Sequence, residues 1–289
     1  MEPTPLERAP AALAQGRDVW LKREDVHELG AFKWRGALPA LERWHSDVVT
    51  ASTGNHGAAA AWAAQRLGVR ATVFVPEQVA AAKLALLERW GADVRHVGRD
   101  LDGAKDAARA FADERGLPFF EDGAEPAQYE GYEAIGREIL DQLTPAAVVV
   151  PVGNGALLIG VGRAFAGRAR RIGVVAEAAP VMWESWRAGR AVESDRSETI
   201  ADGLAVRVAI PAAVDALRDA ADELVLVSER ELMRAVAAYD RVGIRVEAAG
   251  GAALAALPRV ETDGPIVLIV TGRNIDDALL ARCLEQLEP

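Results

Sequence analysis

The chain contains four lysines, and these are the candidate side-chain amines for covalent chemistry. Arginine supplies the remaining positive charge. Lys33 lies in Gly30-Ala-Phe-Lys-Trp-Arg-Gly36 at the predicted start of a helix. The positive end of the helix dipole disfavours an ammonium ion there, and the apolar neighbours add to this effect. A neutral amine in such a place is ready to attack an aldehyde. Lys33 is therefore the candidate for a Schiff base, and we expect surface charges at Lys22, Lys83 and Lys105.

A glycine-bearing turn, Ala51-Ser-Thr-Gly-Asn-His-Gly57, follows a predicted strand and opens an alanine-rich helix. Its backbone N–H groups and the hydroxyls of Ser52 and Thr53 could form an anion site suited to a carboxylate. The alternative is that one of these hydroxyls only caps the helix.

A second glycine-bearing turn, Val152-Gly-Asn-Gly-Ala-Leu-Leu157, lies between an apolar strand and a helix, where backbone amides can hold a phosphate. It is not a dinucleotide fingerprint, because Leu158 stands at the third glycine position. It also lacks the Gly-Lys-Ser/Thr of a nucleotide-binding P-loop. The turn therefore points to a smaller phosphorylated ligand.

Short apolar strands alternate with longer helical stretches along the chain, which predicts an α/β protein. Strands such as Val148–Val152 and Ile266–Val270 are apolar without alternation, as expected for parallel sheets covered by helices on both faces. The predicted strands are 18–23, 48–51, 71–75, 93–97, 147–152, 172–177, 224–227 and 266–270. The predicted helices are 32–44, 55–67, 80–90, 101–114, 129–143, 157–166, 229–241, 251–257 and 275–287.

Composition excludes several classes of partner. A net charge of −10 and a pI near 5.1 argue against binding to nucleic acid or to anionic lipid. The apolar runs are too short to cross a membrane, and the N-terminal residues lack the apolar segment of a signal peptide. The single cysteine, Cys283, fits a reducing cytoplasm, and we expect it to be a buried thiol on a C-terminal helix.

The three stretches around Lys33, Gly54 and Gly153, in this order, resemble the signature of fold-type II pyridoxal-phosphate enzymes. The resemblance is nearest to the branch of threonine/serine dehydratases (ammonia-lyases) and serine racemase. Further segments resemble the family as well: Thr4–Arg8, Trp20–Asp25, Glu198–Leu204, Val246–Gly251 and Thr271–Asn274.

The resemblance implies the tryptophan synthase beta-like fold, with two open parallel-sheet domains and the smaller one inserted in the larger. We predict a large cofactor-binding domain from residues 1–44 and 124–289, and a small inserted domain at 45–123. A homodimer is the family expectation.

The resemblance also implies the site residues. Lys33 would hold pyridoxal 5'-phosphate as a Schiff base and remove the Cα proton, and Thr53 would act on the opposite face of the cofactor, as a serine does in racemases. Asn55 would hydrogen-bond the phenolic oxygen of the cofactor, and Thr271 would face its pyridine nitrogen. The phosphate loop would comprise Gly153, Asn154, Gly155, Ala156 and Leu157. The loop for the substrate would comprise Ser52, Thr53, Gly54, Asn55 and His56.

The sequence departs from the family pattern at four positions. Ala31 replaces a serine, and Asn154 and Ala156 replace glycines of the phosphate loop. Ala156 would need an ordinary backbone conformation, whereas asparagine tolerates a left-handed one. Arg273 replaces a glycine beside the pyridine contact, where it either adds bulk and charge or points to solvent.

Trp34 and Glu247 each have two possible roles. Trp34 either shapes substrate access or packs in the core. Glu247 either approaches the cofactor or is simply a carboxylate at a helix start.

Of the family's divalent-cation site only Glu177 is present, because Trp183 stands where an aspartate belongs; we therefore expect no metal requirement.

The predicted function is β-elimination (dehydration and deamination) of L-threonine, L-serine or a related β-hydroxy amino acid to a 2-oxo acid and ammonia. One alternative is an amino-acid racemase, because Thr53 keeps a hydroxyl. Another is a β-eliminase for hydroxyaspartate, an arylserine, diaminopropionate or an ectoine-derived amino acid. From another class, the chain could be a non-catalytic homologue that binds the cofactor or a partner.

Overall fold

The computed structural model describes residues 2–285 as two compact units. One unit contains Met1–Phe32 and Tyr132–Pro289, and the other contains Lys33–Gly131. The predicted inserted segment, 45–123, falls within the second unit; the division into functional domains stays a prediction.

The unit made of the two chain ends contains a six-stranded sheet with the order β1-β2-β9-β6-β7-β8. Its strands are β1 (Leu6–Arg8), β2 (Val19–Arg23), β6 (Ala147–Pro151), β7 (Arg170–Ala176), β8 (Glu223–Val227) and β9 (Ile266–Val270). All neighbours pair in parallel except β1, which pairs antiparallel with β2. The mixed α/β fold with parallel sheets confirms the predicted fold class.

Helices of this unit connect the strands. They are α1 (Ala11–Ala14), α6 (Pro126–Leu140, which begins in the other unit), α7 (Ala156–Ala164), α8 (Val181–Ala188), α9 (Pro211–Ala220), α10 (Glu229–Arg241), α11 (Ala248–Ala256) and α12 (Asp277–Glu285). Every residue of α11 is buried, and its glycines and alanines leave little side-chain volume between the helix and its neighbours. A capping box between Ser228 and Glu231 fixes the start of α10.

The strand register places the loops that follow β6, β7 and β9 at one edge of this sheet. Val149 of β6 is level with Leu268 of β9, and Pro151 of β6 is level with Val174 of β7. Because these strands are parallel, their carboxyl ends share an edge, where ligands of open α/β sheets bind. Thr271 and the turn at Gly153 therefore follow adjacent strands at that edge.

The second unit contains a three-stranded parallel sheet, with β4 in the middle. Its strands are β3 (Val48–Ala51), β4 (Ala71–Val75) and β5 (Asp93–His96). Its helices are α2 (Trp34–Trp44), α3 (Asn55–Leu67), α4 (Ala81–Glu88) and α5 (Leu101–Arg115). Residues Ala58–Ala64 of α3 are all buried, so the alanine-rich stretch is a core helix.

The structure contains elements that the sequence patterns did not predict. Strand β1 has three residues and α1 has four, which is too short for a periodicity to emerge. Helices α8 and α9 lie between residues 177 and 224, where we predicted no element. Cys283 is fully buried on α12, as expected, while the predicted end of that helix at Leu287 lies outside the described residues.

No helix among residues 2–285 combines the length and the apolar character that crossing a membrane requires.

Candidate active site

Thr271 places an unsatisfied hydroxyl at the carboxyl end of β9. The residue is 2% exposed, and its Oγ1 has no hydrogen-bond partner among the residues that the structure describes. A buried hydroxyl without a partner is destabilising, so its retention suggests a ligand that completes it. Its main chain is anchored, because the carbonyl oxygen accepts from the N–H of Phe32 at 2.9 Å.

The turn at Gly153 presents backbone donors at the same sheet edge. Within the described part of the chain, the N–H groups of Gly153, Asn154 and Gly155 donate to no protein acceptor. They precede α7, which adds the positive end of its dipole. Donors in this arrangement suit an anion such as a phosphate group.

Two glycines make this turn possible. A Cβ atom at Gly153 would overlap the carbonyl oxygen of Gly203, and Gly155 has a φ of 95°. Such a φ is unfavourable for residues with a side chain. The non-glycine members adapt: Ala156 begins α7 with a helical backbone, and its N–H donates to Asn154 Oδ1 at 3.0 Å. The side chain of Asn154 thus stabilises the turn, and Leu157 is buried on the first turn of the helix.

Arg273 and Glu247 contact the backbone of segments near Thr271. Arg273 does not simply point to solvent, because its guanidinium donates to the carbonyl oxygen of Asp25. Its N–H donates to the Gly30 carbonyl oxygen at 2.8 Å. The Glu247 carboxylate lies against Gly272, the residue after Thr271, and Glu247 precedes α11 without capping it through its side chain.

Lys33 precedes α2 in the second unit, and its amine is held by a carboxylate. Lys33 Nζ lies 2.6 Å from Asp122 Oδ2, with side chains that are 14% and 30% exposed. The structure therefore confirms that Lys33 is at a helix start, with Trp34 buried behind it. Trp34 packs edge-on against Trp62 at a centroid distance of 6.2 Å, so it is a core residue.

The predicted loop for the substrate connects β3 to α3. Ser52, Thr53, Gly54 and Asn55 are half-buried, and Ser52 Oγ accepts from the N–H of Gly54 at 3.1 Å. This hydroxyl therefore stabilises the turn itself. The N-terminal position of Asn55 on α3 leaves the first-turn N–H groups of this helix at the loop.

His56 is buried beside Asp122. Burial lowers the pKa of its imidazole, the charge of Asp122 opposes this effect, and the charge of Lys33 adds to it. His56 Nε2 lies 3.1 Å from the carbonyl oxygen of Phe120, and Nδ1 lies 3.4 Å from Asp122 Oδ1. The ring also packs against Phe120 at a centroid distance of 4.4 Å.

One sequence expectation was wrong. Lys22 is not a surface charge: it is fully buried, its Nζ lies 2.5 Å from Glu138 Oε2, and it donates to the Thr4 carbonyl oxygen at 2.7 Å. The partner is 116 residues away in the chain, so no local pattern could indicate it. Because its charge is paired with Glu138 and it also donates to a backbone carbonyl oxygen, Lys22 is a structural residue.

Asp122 was not singled out from the sequence. The signal present there is Asp122-Gly123 after an apolar segment, which by itself predicts only a turn. The second unit thus brings Lys33, His56 and Asp122 together, and the first brings Thr271 beside the turn at Gly153. Within residues 2–285, no group of three or more histidine, cysteine or acidic side chains is placed to hold a metal ion.

Comparisons with known proteins agree on one family. A family model described as "Pyridoxal-phosphate dependent enzyme" matches residues 1–272. An L-threonine ammonia-lyase of Geobacter sulfurreducens is 37% identical over 284 residues, covering 94% of this chain and 71% of that protein.

Two solved structures are similar along nearly the whole chain. The processed form of threonine deaminase isoform 2 from Solanum lycopersicum has a TM-score of 0.92 at 30% identity, covering 99% of this chain and 88% of that one. Maize serine racemase has a TM-score of 0.88 at 25% identity, covering 98% and 92%. These similarities extend over both units of the chain, and the family-model match begins at the first residue. The chain therefore belongs to the family of pyridoxal-phosphate dependent enzymes, whose cofactor is pyridoxal 5'-phosphate.

Proposed function

We propose that this protein is an ammonia-lyase that eliminates the β-hydroxyl group of L-threonine, L-serine or a related β-hydroxy amino acid. The products are a 2-oxo acid and ammonia. The relatives named threonine ammonia-lyase and threonine deaminase support this substrate class.

The observation that carries the proposal is the buried, unpartnered Thr271 hydroxyl at the same sheet edge as the amides of the Gly153 turn. Pyridoxal phosphate combines a ring nitrogen, which accepts a hydrogen bond, with a phosphate, which accepts several. The residues present therefore fit the cofactor: Thr271 would donate to the ring nitrogen, and Gly153, Asn154, Gly155, Ala156 and Leu157 would form the phosphate loop. When bound, the cofactor supplies an aldehyde that joins the substrate amine and a conjugated ring that accepts electrons from Cα.

Lys33 is proposed as the amine that holds the cofactor and as the base that takes the Cα proton. Its helix-start position and partial burial support the role. Asn55 is proposed to donate to the phenolic oxygen of the cofactor. The loop of Ser52, Thr53, Gly54, Asn55 and His56 is proposed to bind the substrate carboxylate, largely through main-chain groups at the start of α3. The N–H groups of Ser52 and Gly54 are not among the proposed donors, because they donate to the Phe74 carbonyl oxygen and to Ser52 Oγ.

Thr271 also favours elimination over reactions that require a long-lived negative charge on Cα. A neutral hydroxyl leaves the ring nitrogen unprotonated, whereas a carboxylate would favour protonation. Charge on Cα is then weakly stabilised, so a substituent on the β-carbon should depart promptly. A β-hydroxy amino acid carries such a substituent and is therefore the proposed substrate.

The test is a panel of amino acids assayed for ammonia and 2-oxo acid. It should contain L-threonine, L-serine, hydroxyaspartate, an arylserine and diaminopropionate. We expect equimolar ammonia and 2-oxo acid from L-threonine or L-serine. Release from neither, with turnover of another member, would contradict the proposed substrate class, and release from none would indicate a binding protein.

Racemisation is the second candidate, because Thr53 keeps a hydroxyl and maize serine racemase has the same fold. Chiral analysis of recovered serine distinguishes the two activities: a racemase produces the opposite enantiomer, whereas a lyase only depletes the original one.

A cytoplasmic location and a homodimer are also proposed. The single buried cysteine is compatible with a reducing compartment. Light scattering of the purified protein would test the dimer.

A further inference from the structure

Asp122 lies where the chain leaves the sheet of the second unit. The N–H of Val49 donates to the Pro118 carbonyl oxygen at 3.0 Å, and the N–H of Phe120 donates to the Val49 carbonyl oxygen at 2.8 Å. Residues 118–120 thus pair with β3 in a parallel sense. Asp122 therefore emerges beside the loop that follows β3.

Lys33 is bound by one oxygen of this carboxylate. The distance of 2.6 Å between Lys33 Nζ and Asp122 Oδ2 is that of a charge-assisted hydrogen bond. Neither side chain is more than 30% exposed, so solvent and salt screen this pair less than a surface pair.

The other oxygen of Asp122 is fixed by a buried amide. Gln128 Nε2 donates to Asp122 Oδ1 at 3.3 Å, and Gln128 Oε1 accepts from the N–H of Gly123 at 2.8 Å. Gln128 is fully buried and holds both the side chain of Asp122 and the backbone that follows it. Gln128 therefore fixes the orientation of the Asp122 carboxylate independently of Lys33.

His56 makes a longer contact with Asp122 than Lys33 does, at 3.4 Å compared with 2.6 Å. Its Nε2 faces the Phe120 carbonyl oxygen at 3.1 Å, which requires a proton on Nε2. Burial lowers the pKa of His56, which favours the neutral ring, and its Nδ1 lies 3.4 Å from Asp122 Oδ1. On the other side, Glu121 pairs with Lys105 and Arg109. Lys33 therefore makes the shorter of the two contacts with Asp122.

We propose that Asp122 is the positioning residue for Lys33, an inference that rests on the proposed function. When Lys33 Nζ takes the Cα proton, the Cα–H bond breaks, its electron pair stays with the substrate, and an N–H bond forms. Asp122 Oδ2 then accepts a hydrogen bond from the resulting ammonium and holds it in place. Asp122 contacts Lys33, the side chain that takes the proton, and acts through it.

The first test observes the Lys33 ammonium directly. In the full-length chain freed of cofactor and labelled with 15N-lysine, the four lysine ammonium groups can be recorded by NMR. A buried ammonium in a hydrogen bond exchanges its protons slowly, so Lys33 should give a signal. Lys22, which is fully buried and bonded to Glu138, is an internal reference.

Three variants separate the proposal from a general structural effect. Asp122→Asn should reduce the Lys33 signal about tenfold and leave the Lys22 signal unchanged, since removing the charge weakens the hydrogen bond. Asp122→Glu should restore the Lys33 signal at a shifted frequency. Glu121→Gln, which removes the adjacent carboxylate, should leave Lys33 unchanged.

The second test uses the cofactor-loaded enzyme. Asp122→Asn should lower kcat by about tenfold to a hundredfold with little change in KM, as misplacement of a reacting group does. Glu121→Gln should retain kcat. If Asp122→Asn does not fold, an unshifted Lys33 frequency in Asp122→Glu overturns the proposal.

The role of Asp122 and the proposed function can be disproved separately. Unchanged Lys33 signal and kcat in Asp122→Asn would overturn the role of Asp122 while the proposed function stands. A wild-type enzyme that carries cofactor on another residue would overturn the proposed function itself.

Discussion

The N–H of Phe32 donates a 2.9 Å hydrogen bond to the carbonyl oxygen of Thr271, and Lys33 is the next residue in the chain. The bond ties the segment before the proposed cofactor lysine to the end of β9. Ala31 reinforces the connection, because it forms a bridge with Gly272. Ala31 is fully buried at this position.

Thr271→Val should have opposite effects with and without cofactor. Without cofactor, removal of a buried, unpartnered hydroxyl should raise the free energy of unfolding by about 1 kcal/mol. With cofactor, the loss of one hydrogen bond should weaken cofactor affinity by about tenfold. Urea unfolding of both forms, together with cofactor titration, measures these effects.

Thr50→Val is the matched control, because Thr50 is another buried threonine, within β3, and its Oγ1 donates to the Phe120 carbonyl oxygen at 2.7 Å. This variant should lose about 1 kcal/mol of stability. If cofactor-free Thr271→Val lost as much, the hydroxyl of Thr271 would already be satisfied within the protein.

Gly155→Ala should weaken cofactor binding through the backbone of the phosphate loop. A residue with a Cβ at a φ of 95° is strained, and relaxation would redirect the N–H groups of the turn. We expect a loss of about 1–2 kcal/mol in unfolding free energy and a still larger loss in cofactor affinity. Gly167, with a φ of 67° and open space around it, provides the control. Gly167→Ala should show the strain alone; equal affinity losses in both variants would remove Gly155 from the site.

His56 should make the protein sensitive to acid. Because burial lowers its pKa in the folded state, the unfolded chain binds a proton that the folded chain does not. The unfolding free energy should therefore fall as the pH drops below about 6.5, the ordinary value for histidine. His56→Asn removes the titrating ring. Its unfolding free energy, measured by chemical unfolding, should therefore depend less steeply on pH between about pH 7 and pH 5, the range in which histidine titrates. The exposed His45, as His45→Asn, is the control, and an equally shallow dependence in that variant would contradict the assignment.

Lys22→Met should destabilise the fold without removing the cofactor. Loss of the cation leaves the Glu138 carboxylate, which is 15% exposed, without its main partner. The expected loss is about 3–5 kcal/mol, and an added Glu138→Leu substitution should recover most of it. Thermal unfolding measures the stability, and the visible absorbance of the purified variant measures bound cofactor. A variant that is stable but lacks the visible absorbance would make Lys22 the cofactor lysine.

The sequence patterns predicted the parts of the fold that depend on local order. The apolar strands β6 and β9, the glycine turn before α7 and the helix start at Lys33 were all found where the patterns placed them. Each depends on residues close in the chain: a run of β-branched side chains, a pair of glycines, or a helix following a turn.

The parts that could not be predicted depend on distant pairs. Lys22 looks like a charged strand end until Glu138 is placed beside it, and Asp122 looks like a turn residue until Lys33 is placed 2.6 Å away. Neither pair shares a local pattern, because the partners lie 116 and 89 residues apart. Arg273 likewise had two readings until the Asp25 carbonyl oxygen was located.

The most direct test of the account identifies the residue that carries the cofactor. The purified enzyme is reduced with borohydride, which makes the bond between the lysine and the cofactor permanent, and is then digested and analysed by mass spectrometry. The account predicts the pyridoxyl-phosphate mass on Lys33 and unmodified peptides for Lys22, Lys83 and Lys105, with no visible absorbance in Lys33→Ala. The modification on another lysine, or on none, would contradict it.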